Sequence, residues 1–403
     1  MKHSQDMHSY KFRDLKFYAH KDKLMVYLYK IFFISKQIDE NFHKEFCTKD
    51  GVIYSDNKNK LNSLVNEVLI QINNFVINSI NSKRTKYINI NSGLPLIGHN
   101  AFGIVDRNTN WIEIKPLTGC NLDCIFCSVD ENKRQNDFVV EVAYLIQELF
   151  KLVDLKKNEV AVVINAHGEP MLYVKLNELI SRIKEHPKIR KIILITNGTL
   201  LTKKKINELE SSGLDQINIS LNSISNDMGK FLSNRNSYDT KKIIDSILYI
   251  KNHTSITPII TPVYLHNIND NEVEEIVKFG TKNKINIAIQ NFLEYKTGKR
   301  PTKQISFEQF YKKLHEWETK YNSNLTQFKF EIKKDKVLEL PFKKNQIITV
   351  EIRSFGRFSN EMLGVTPGIN RVISVFGSHK KIGEKQKVRI IRVKHNIFAA
   401  EAL

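Results

Sequence analysis

Cysteine is scarce in this chain, with four among 403 residues. That scarcity excludes a disulfide framework and points to a reducing, cytoplasmic setting. No second C-x-x-C pair is present, so a four-thiolate structural zinc site of the usual kind has no ligands. Acidic residues are also short: 43 Asp and Glu face 62 Lys and Arg, a formal net charge of +19. Such an excess attracts polyanions, RNA or DNA first and an anionic membrane surface second; a merely solvated basic surface is the bland reading. Long apolar runs are missing too. Leu24–Ile34 is interrupted by Lys30 and is too short to span a bilayer, and no secretory cleavage site follows it. It reads as a buried helix. Neither internal repeats nor a long low-complexity tract occur.

Three of the four cysteines fall within eight residues, Cys120-Asn-Leu-Asp-Cys124-Ile-Phe-Cys127. Three thiolates can hold three irons of a [4Fe–4S] cluster and leave the fourth iron open. Two bland readings compete: a redox dithiol, and a zinc knuckle that His99 or Cys47 would have to complete.

Around this run the chain divides into four parts. Residues 1–90 read as a basic helical extension, from apolar residues near helical spacing at Leu24, Leu28, Ile31 and Ile38 and more clearly at Leu61–Val76. From residue 91 to 300, strands alternate with helices. Ala101–Val105 and Trp111–Lys115 lead into the cysteines. Val160–Asn165, Lys191–Thr196, Gln216–Leu221, Ile256–Val263 and Ile285–Gln290 follow, separated by helical segments. That alternation implies a parallel α/β sheet, a partial (β/α)6 barrel of TIM type. Residues 301–337 read as a helical connector, and 338–403 as a small β-barrel.

Further motifs sit at strand ends, where parallel sheets bind ligands. Gly168-Glu169-Pro170 follows one strand and is, alone, a plain βα turn. Thr196-Asn197-Gly198 ends the next, and Asn-Gly is an ordinary turn pair. Ser220 and Asn222 close the strand after that, both side chains on one face. Gln290 ends the last. Phe126 is a core aromatic or a ring for a ligand to pack on.

The cysteine spacing with Phe126, and the Gly-Glu-Pro segment, resemble the signatures of the radical S-adenosylmethionine superfamily. His167 stands where the family often has a first glycine, and Asn222 where it often has Asp. The resemblance implies a [4Fe–4S] cluster on Cys120, Cys124 and Cys127, with S-adenosylmethionine contacted by Phe126, Gly168, Glu169, Pro170, Asn197, Ser220, Asn222 and Gln290. It further implies a 5′-deoxyadenosyl radical, a reductant such as a ferredoxin or flavodoxin, and no catalytic residue beyond the cluster ligands.

Residues 338–403 resemble a TRAM domain, an OB-like RNA-binding barrel. The resemblance rests on Val350-Glu-Ile-Arg353, Gly356-Arg357, Gly364-Val365, Gly383-Glu-Lys385 and Val388–Val393. From Leu340 onward, 12 Lys and Arg face 4 Asp and Glu. Arg353, Arg357, Phe358, Arg371, Lys385, Arg389 and Arg392 are the implied RNA contacts, with Phe355 a further stacking ring. A structural lid over the barrel mouth is the alternative.

Together the two resemblances imply modification of tRNA or other structured RNA. Cys47 alone cannot supply a second cluster, so methylthiotransferases and radical wyosine-base synthases do not fit. A maturase for a protein or small metabolite is the first rival. A non-catalytic RNA-binding iron–sulfur sensor is the second.

Overall fold

Apolar strands buried on both faces build the centre of the molecule. In the computed structural model, which describes residues 7–11, 14–326 and 331–403, six parallel strands run in sequence order across one sheet. They are β1 (Trp111–Lys115), β2 (Val160–Ile164), β3 (Ile189–Thr196), β4 (Gln216–Ile219), β5 (Thr257–Ile260) and β6 (Asn286–Ile287). An antiparallel strand, Gly103–Asp106, covers the β1 edge. Every residue of β2 is buried, which explains its unbroken apolar run. The intervening helices bury one stripe each, as with Leu176, Leu179, Ile180 and Ile183 on the helix before β3. This is the expected six-stranded partial barrel.

The N-terminal part departs from the expected helical extension. Only Lys58–Asn74 forms a long helix. Leu24–Ile34 is instead an antiparallel hairpin, Lys23–Leu28 against Phe32–Gln37. Leu24, Val26, Leu28, Phe32 and Ile34 point inward at strand spacing. Tyr29 and Lys30 make the turn with φ of 55° and 64°. No Gly or Asn marks that reversal, so the apolar run reads as continuous. These strands belong to a six-stranded sheet whose far edge is Asn136–Val140, paired in parallel with Arg84–Ile88. The N-terminal part therefore holds the downstream end of the cysteine loop.

The connector carries the helix Phe307–Tyr321, opened by a capping box at Ser306 and Gln309. Residues 327–330 of the expected connector, and residues 1–6, 12 and 13 of the expected extension, lie outside the described residues. The last unit is a closed barrel of β7 (Ile347–Phe355), β8 (Glu361–Thr366), β9 (Ile369–Phe376), β10 (Lys385–Arg392) and β11 (Ala399–Ala402). Its order is β7-β8-β9-β11-β10, with β9 and β11 parallel, the arrangement of an OB-type barrel.

The barrel docks along the side of the central unit. Val372 N donates to Ile97 O at 2.9 Å, and Phe398 N to Gly98 O at 2.9 Å. Gly98 has no room for a side chain, because a Cβ there would lie 2.0 Å from Val372 O. The β7–β8 turn docks through charge. Glu361 accepts from the Arg357 amide at 2.8 Å and lies 3.1 Å from His99 Nε2, all in a buried setting.

Burial raises the Glu361 carboxyl, but the hydrogen bond and charge of His99, helped by Ser374 and Arg357, outweigh it and hold the pKa at about 2. A depressed carboxyl stabilises the fold above its unfolded pKa and loses that contribution as pH falls towards its folded one. The shift corresponds to about 3 kcal/mol. In urea unfolding, the advantage of wild type over Glu361→Gln should hold at pH 6 and shrink from about pH 4.5 downward. A constant advantage down to pH 3 would refute this account.

Candidate active site

The cysteine loop hangs between two sheets. Upstream, Thr118-Gly119 pairs in parallel with His167-Gly168. Downstream, Asn136 starts the strand that joins the N-terminal sheet. Gly168 is required by that close pairing, since a Cβ would lie 2.0 Å from Gly119 O. The loop is also pinned from the side. Asp123 N donates to Ser233 O at 3.1 Å and Ile125 N to Leu232 O at 3.0 Å, both at the end of the helix Asn226–Ser233. Lys299 Nζ bonds Asp123, and Lys299 N donates to Cys127 O at 2.9 Å.

All three thiols line one cleft at the carboxyl ends of the strands, with a cavity of about 200 Å³. Phe126, Gly168, Glu169, Asn197, Ser220 and Asn222 line it as well. Pro170 does not; it is buried behind Glu169 as the first residue of a short 3-10 turn. Gln290 does not either, and its side chain is exposed. Asn165, Thr196, Ser233 and Tyr238 are among the other residues of its wall. Ser233 and Tyr238 carry no motif, and sequence reading passed over the short helix that ends at Ser233 and the loop after it that presents Tyr238.

Burial pushes the Cys120 thiol well above its usual value, with the Glu169 carboxylate adding to the shift. It pushes Cys124 up to about 12, with Cys127 next in effect, and raises Cys127 as well. Amides of Leu122 and Val129 point at the Cys120 and Cys127 sulfurs, each at 3.4 Å. Such donors stabilise thiolates and tune a cluster's potential. Asn197 Nδ2 lies 3.9 Å from the Cys120 sulfur and donates to Asn121 Oδ1 at 2.9 Å.

The donor set suits a cluster better than a single ion. Among the described residues, no three His, Cys, Asp or Glu groups are spaced to grip one metal. Neither proposed zinc partner lines the cleft: His99 is buried against Glu361 and stacked on Phe102, and Cys47 is exposed on the strand Phe46–Lys49. Three thiols around one cavity fit a multi-iron group in which each takes its own iron.

Glu169 is fully buried. Its Oε1 accepts from Met171 N at 2.9 Å and Thr196 Oγ1 at 2.7 Å, and its Oε2 from Asn197 N at 2.7 Å. Burial raises its pKa to about 7 against the pull of these donors. A carboxylate offers about four acceptor positions, so room for one further donor remains. The Asn222 amide is largely engaged, accepting from Val263 N at 2.8 Å and donating to Ser220 O at 3.2 Å.

Behind the cleft lies a buried charged network absent from the sequence reading. Arg134 is fully buried, paired with Glu131 and with Asp137 at 2.9 Å, and donates to His167 O at 3.2 Å. Asp137 in turn accepts from Thr118 Oγ1 at 2.8 Å. Arg357 reaches in from the C-terminal barrel, and its Nη1 donates to His167 Nδ1. Burial, then the charges of Lys115, Arg357, His99 and Arg134, push the His167 pKa far down, so the ring is neutral and its Nδ1 accepts. Arg357 is only 4% exposed, which removes it from the surface offered to RNA. Phe358 lies under its guanidinium at 4.7 Å. Arg353 is paired with Glu351 at 3.0 Å, and Arg371 is bound to Asn396 and Asn370. Arg84 lies over one face of the Phe355 ring at 4.6 Å and also sits on Phe75, while Phe355 stays partly exposed. Lys385, Arg389 and Arg392 remain exposed.

No barrel residue lines the cleft, so the barrel is not a lid over it.

The radical SAM superfamily model matches residues 114–280. The uncharacterized protein MJ0103 of Methanocaldococcus jannaschii is 38% identical over 371 residues, covering 83% of this chain and 85% of that one. The chain belongs to the radical SAM superfamily. Members bind a [4Fe–4S] cluster and S-adenosylmethionine, and the thiols and cleft fit both. This is a radical SAM enzyme, and among its described residues no helix is long and apolar enough to cross a membrane. GTP 3′,8-cyclase of Peptoclostridium acidaminophilum is 27% identical over 197 residues, 48% of this chain and 58% of that one. SuiB of Streptococcus suis, solved with S-adenosylmethionine, superposes with a TM-score of 0.45 at 18% identity, covering 78% of this chain and 71% of that one.

Proposed function

We propose that this radical SAM enzyme modifies structured RNA, tRNA above all. When bound, the cluster and S-adenosylmethionine supply a 5′-deoxyadenosyl radical. Glu169 uses its remaining acceptor position for the methionine ammonium, and the Ser220 hydroxyl, without a partner among the described residues, takes a polar group of the cofactor. Gly168, Asn197, Asn222 and Phe126 shape the cavity, and Pro170 sets Glu169.

The observation that carries the RNA reading is the outward face of β10. Lys385, Lys387 and Arg389 alternate there on an OB-type barrel, and Arg392 follows at its end. A row of exposed cations on such a barrel suits phosphate contact. The turn and strands that OB barrels often turn to oligonucleotides are used here for docking, so β10 is the remaining basic face.

The second reading is a small substrate. It is favoured by a cleft with no barrel residue in its wall, and by relatives named as GTP cyclases.

The experiment is tRNA binding, with 5′-deoxyadenosine as a second readout, for wild type and for Lys385→Glu/Lys387→Glu/Arg389→Glu. Losing three phosphate contacts should weaken tRNA binding by about tenfold or more and flatten its salt dependence. Stimulation of product by tRNA should fall in parallel, while product formed without tRNA is unchanged. Wild type that neither binds tRNA nor responds to it would favour the small substrate.

A further inference from the structure

One turn of the N-terminal unit reaches the base of the cysteine loop. The strands Val76–Asn78 and Arg84–Ile88 pair antiparallel, and residues 79–83 join them. Asn78 shapes the turn. Its Oδ1 accepts from Ile80 N at 2.9 Å and its backbone oxygen from Ser82 N at 2.8 Å. Asn81 Oδ1 accepts from Lys83 N at 3.0 Å, and its Nδ2 donates to Asp137 Oδ2 at 2.7 Å. Asp137 is fully buried, and its other oxygen accepts from Thr118 Oγ1 at 2.8 Å. Thr118 stands two residues before Cys120. Lys83 Nζ adds a second tie, to Glu131 O at 2.6 Å, past the last cysteine of the run.

Gly119 lies against this turn. Its φ is 107°, and a Cβ there would sit 3.4 Å from Asp137 Oδ2, 3.7 Å from Asn78 Nδ2 and 3.9 Å from Asn81 Nδ2. Beside Gly119 and Cys120 is a second cavity, of about 10 Å³, lined from the N-terminal unit by Ile31, Asn78, Ile80 and Asn81. A space of that size holds one water at most. Cys120 therefore borders two cavities, the cleft and this one. Ile80 lines the small cavity while 48% exposed, so it stands between that space and solvent.

We propose that this turn is the rear wall of the cluster site. Ile80 keeps solvent from the Cys120 side. Asn81 is a positioning residue that fixes the Cys120 segment through Asp137 and Thr118. The proposal rests on the radical SAM assignment and is independent of the substrate. Solvent exposure and nearby hydrogen bonds set the properties of an iron–sulfur cluster. On the cleft side, bound S-adenosylmethionine covers the cluster; on this side only the protein can. Half-exposed Ile80 gains little stability from burial, so its place over the cavity is its main contribution.

The test uses the full chain, reconstituted anaerobically, and follows iron passing to a ferrous chelator with and without S-adenosylmethionine. In wild type, S-adenosylmethionine fills the cleft and should slow iron loss. In Ile80→Ala and Asn81→Ala a second route is open, so loss with S-adenosylmethionine present should be about tenfold faster than in wild type. Asn81→Asp keeps the volume but sets a carboxylate against Asp137, so it should leak as Asn81→Ala does. The EPR spectrum of the reduced cluster should change in both Asn81 variants and stay that of wild type in Ile80→Ala. Leu64→Ala is the control, since Leu64 is buried in the same unit and lines neither cavity. It should unfold at lower urea yet retain iron as wild type does. Wild-type iron retention in both Ile80→Ala and Asn81→Ala would overturn the proposal. So would equal leakage in Leu64→Ala, which would mark a general loosening of the unit. An unchanged EPR spectrum in both Asn81 variants would refute the positioning role. Should Asn81→Ala fail to fold, Ile80→Ala, which removes a half-exposed side chain, still decides. A wild-type protein that takes up no cluster would sink the radical SAM assignment itself and this proposal with it.

Discussion

Cys124→Ala should abolish the cluster and, with it, formation of 5′-deoxyadenosine from S-adenosylmethionine. Cys124 sits at the centre of the three-thiol run, and no other Cys or His lines the cleft to replace it. Anaerobic reconstitution should leave the variant without the iron–sulfur absorption band, and product should fall by more than about a thousandfold. Asn197→Ala provides the contrast. Asn197 lies 3.9 Å from the Cys120 sulfur and holds Asn121, without being a ligand. Its loss should cost roughly ten- to a hundredfold, as for outer groups around metal sites. A Cys124→Ala protein that still assembled the cluster and made product at wild-type rates would overturn the ligand assignment. An Asn197→Ala protein as dead as Cys124→Ala would show that the outer group is indispensable.

The central sheet was legible because its pattern has few alternatives. Val160–Ile164 and Ile189–Thr196 are apolar runs between helical stripes, and only a parallel sheet buries both faces. The cleft was legible because its motifs lie at strand ends, where parallel sheets bring them together. Other parts depended on partners distant in sequence. The hairpin at Leu24–Ile34 was hidden because Tyr29 and Lys30 adopt positive φ without a Gly or Asn. The strand Asn136–Val140 has its partner in Arg84–Ile88, some fifty residues upstream. The helix Asn226–Ser233 is short, so its role as a wall appears only once Leu232 and Ser233 meet the cysteine loop. Arg357 shows the clearest limit. The resemblance to an RNA-binding barrel placed it among the implied RNA contacts, and only the docked structure pairs it with His167, 190 residues away.

That placement makes Arg357→Ala the sharpest test of the barrel's role. In the surface reading, the variant would lose RNA affinity and little else. The buried reading gives the opposite result. Removing the guanidinium leaves Glu361 with fewer compensating charges and takes the donor from His167 Nδ1. Breaking a buried charge arrangement on one side typically costs about 3–5 kcal/mol. The same turn also holds the loop's downstream end, since Arg357 O accepts from Gln135 N at 2.9 Å and Gly356 O from Asn136 Nδ2 at 2.8 Å. His167 directly precedes the Gly168-Glu169 pair that lines the cleft. Arg357 is thus a positioning residue, acting through His167 and the loop end. Denaturant unfolding of Arg357→Ala should show the stability loss. Well below its unfolding transition, binding of S-adenosylmethionine to the reconstituted variant should weaken by about tenfold, as expected for an outer supporting group. The tRNA binding proposed for the exposed face of β10 should stay at the wild-type level. Arg357→Lys keeps the charge but not the planar fork, so it should recover part of the stability and little of the cofactor affinity. Normal stability with lost tRNA binding would return Arg357 to the surface role and would mean that the barrel touches the cofactor cleft in no energetic sense.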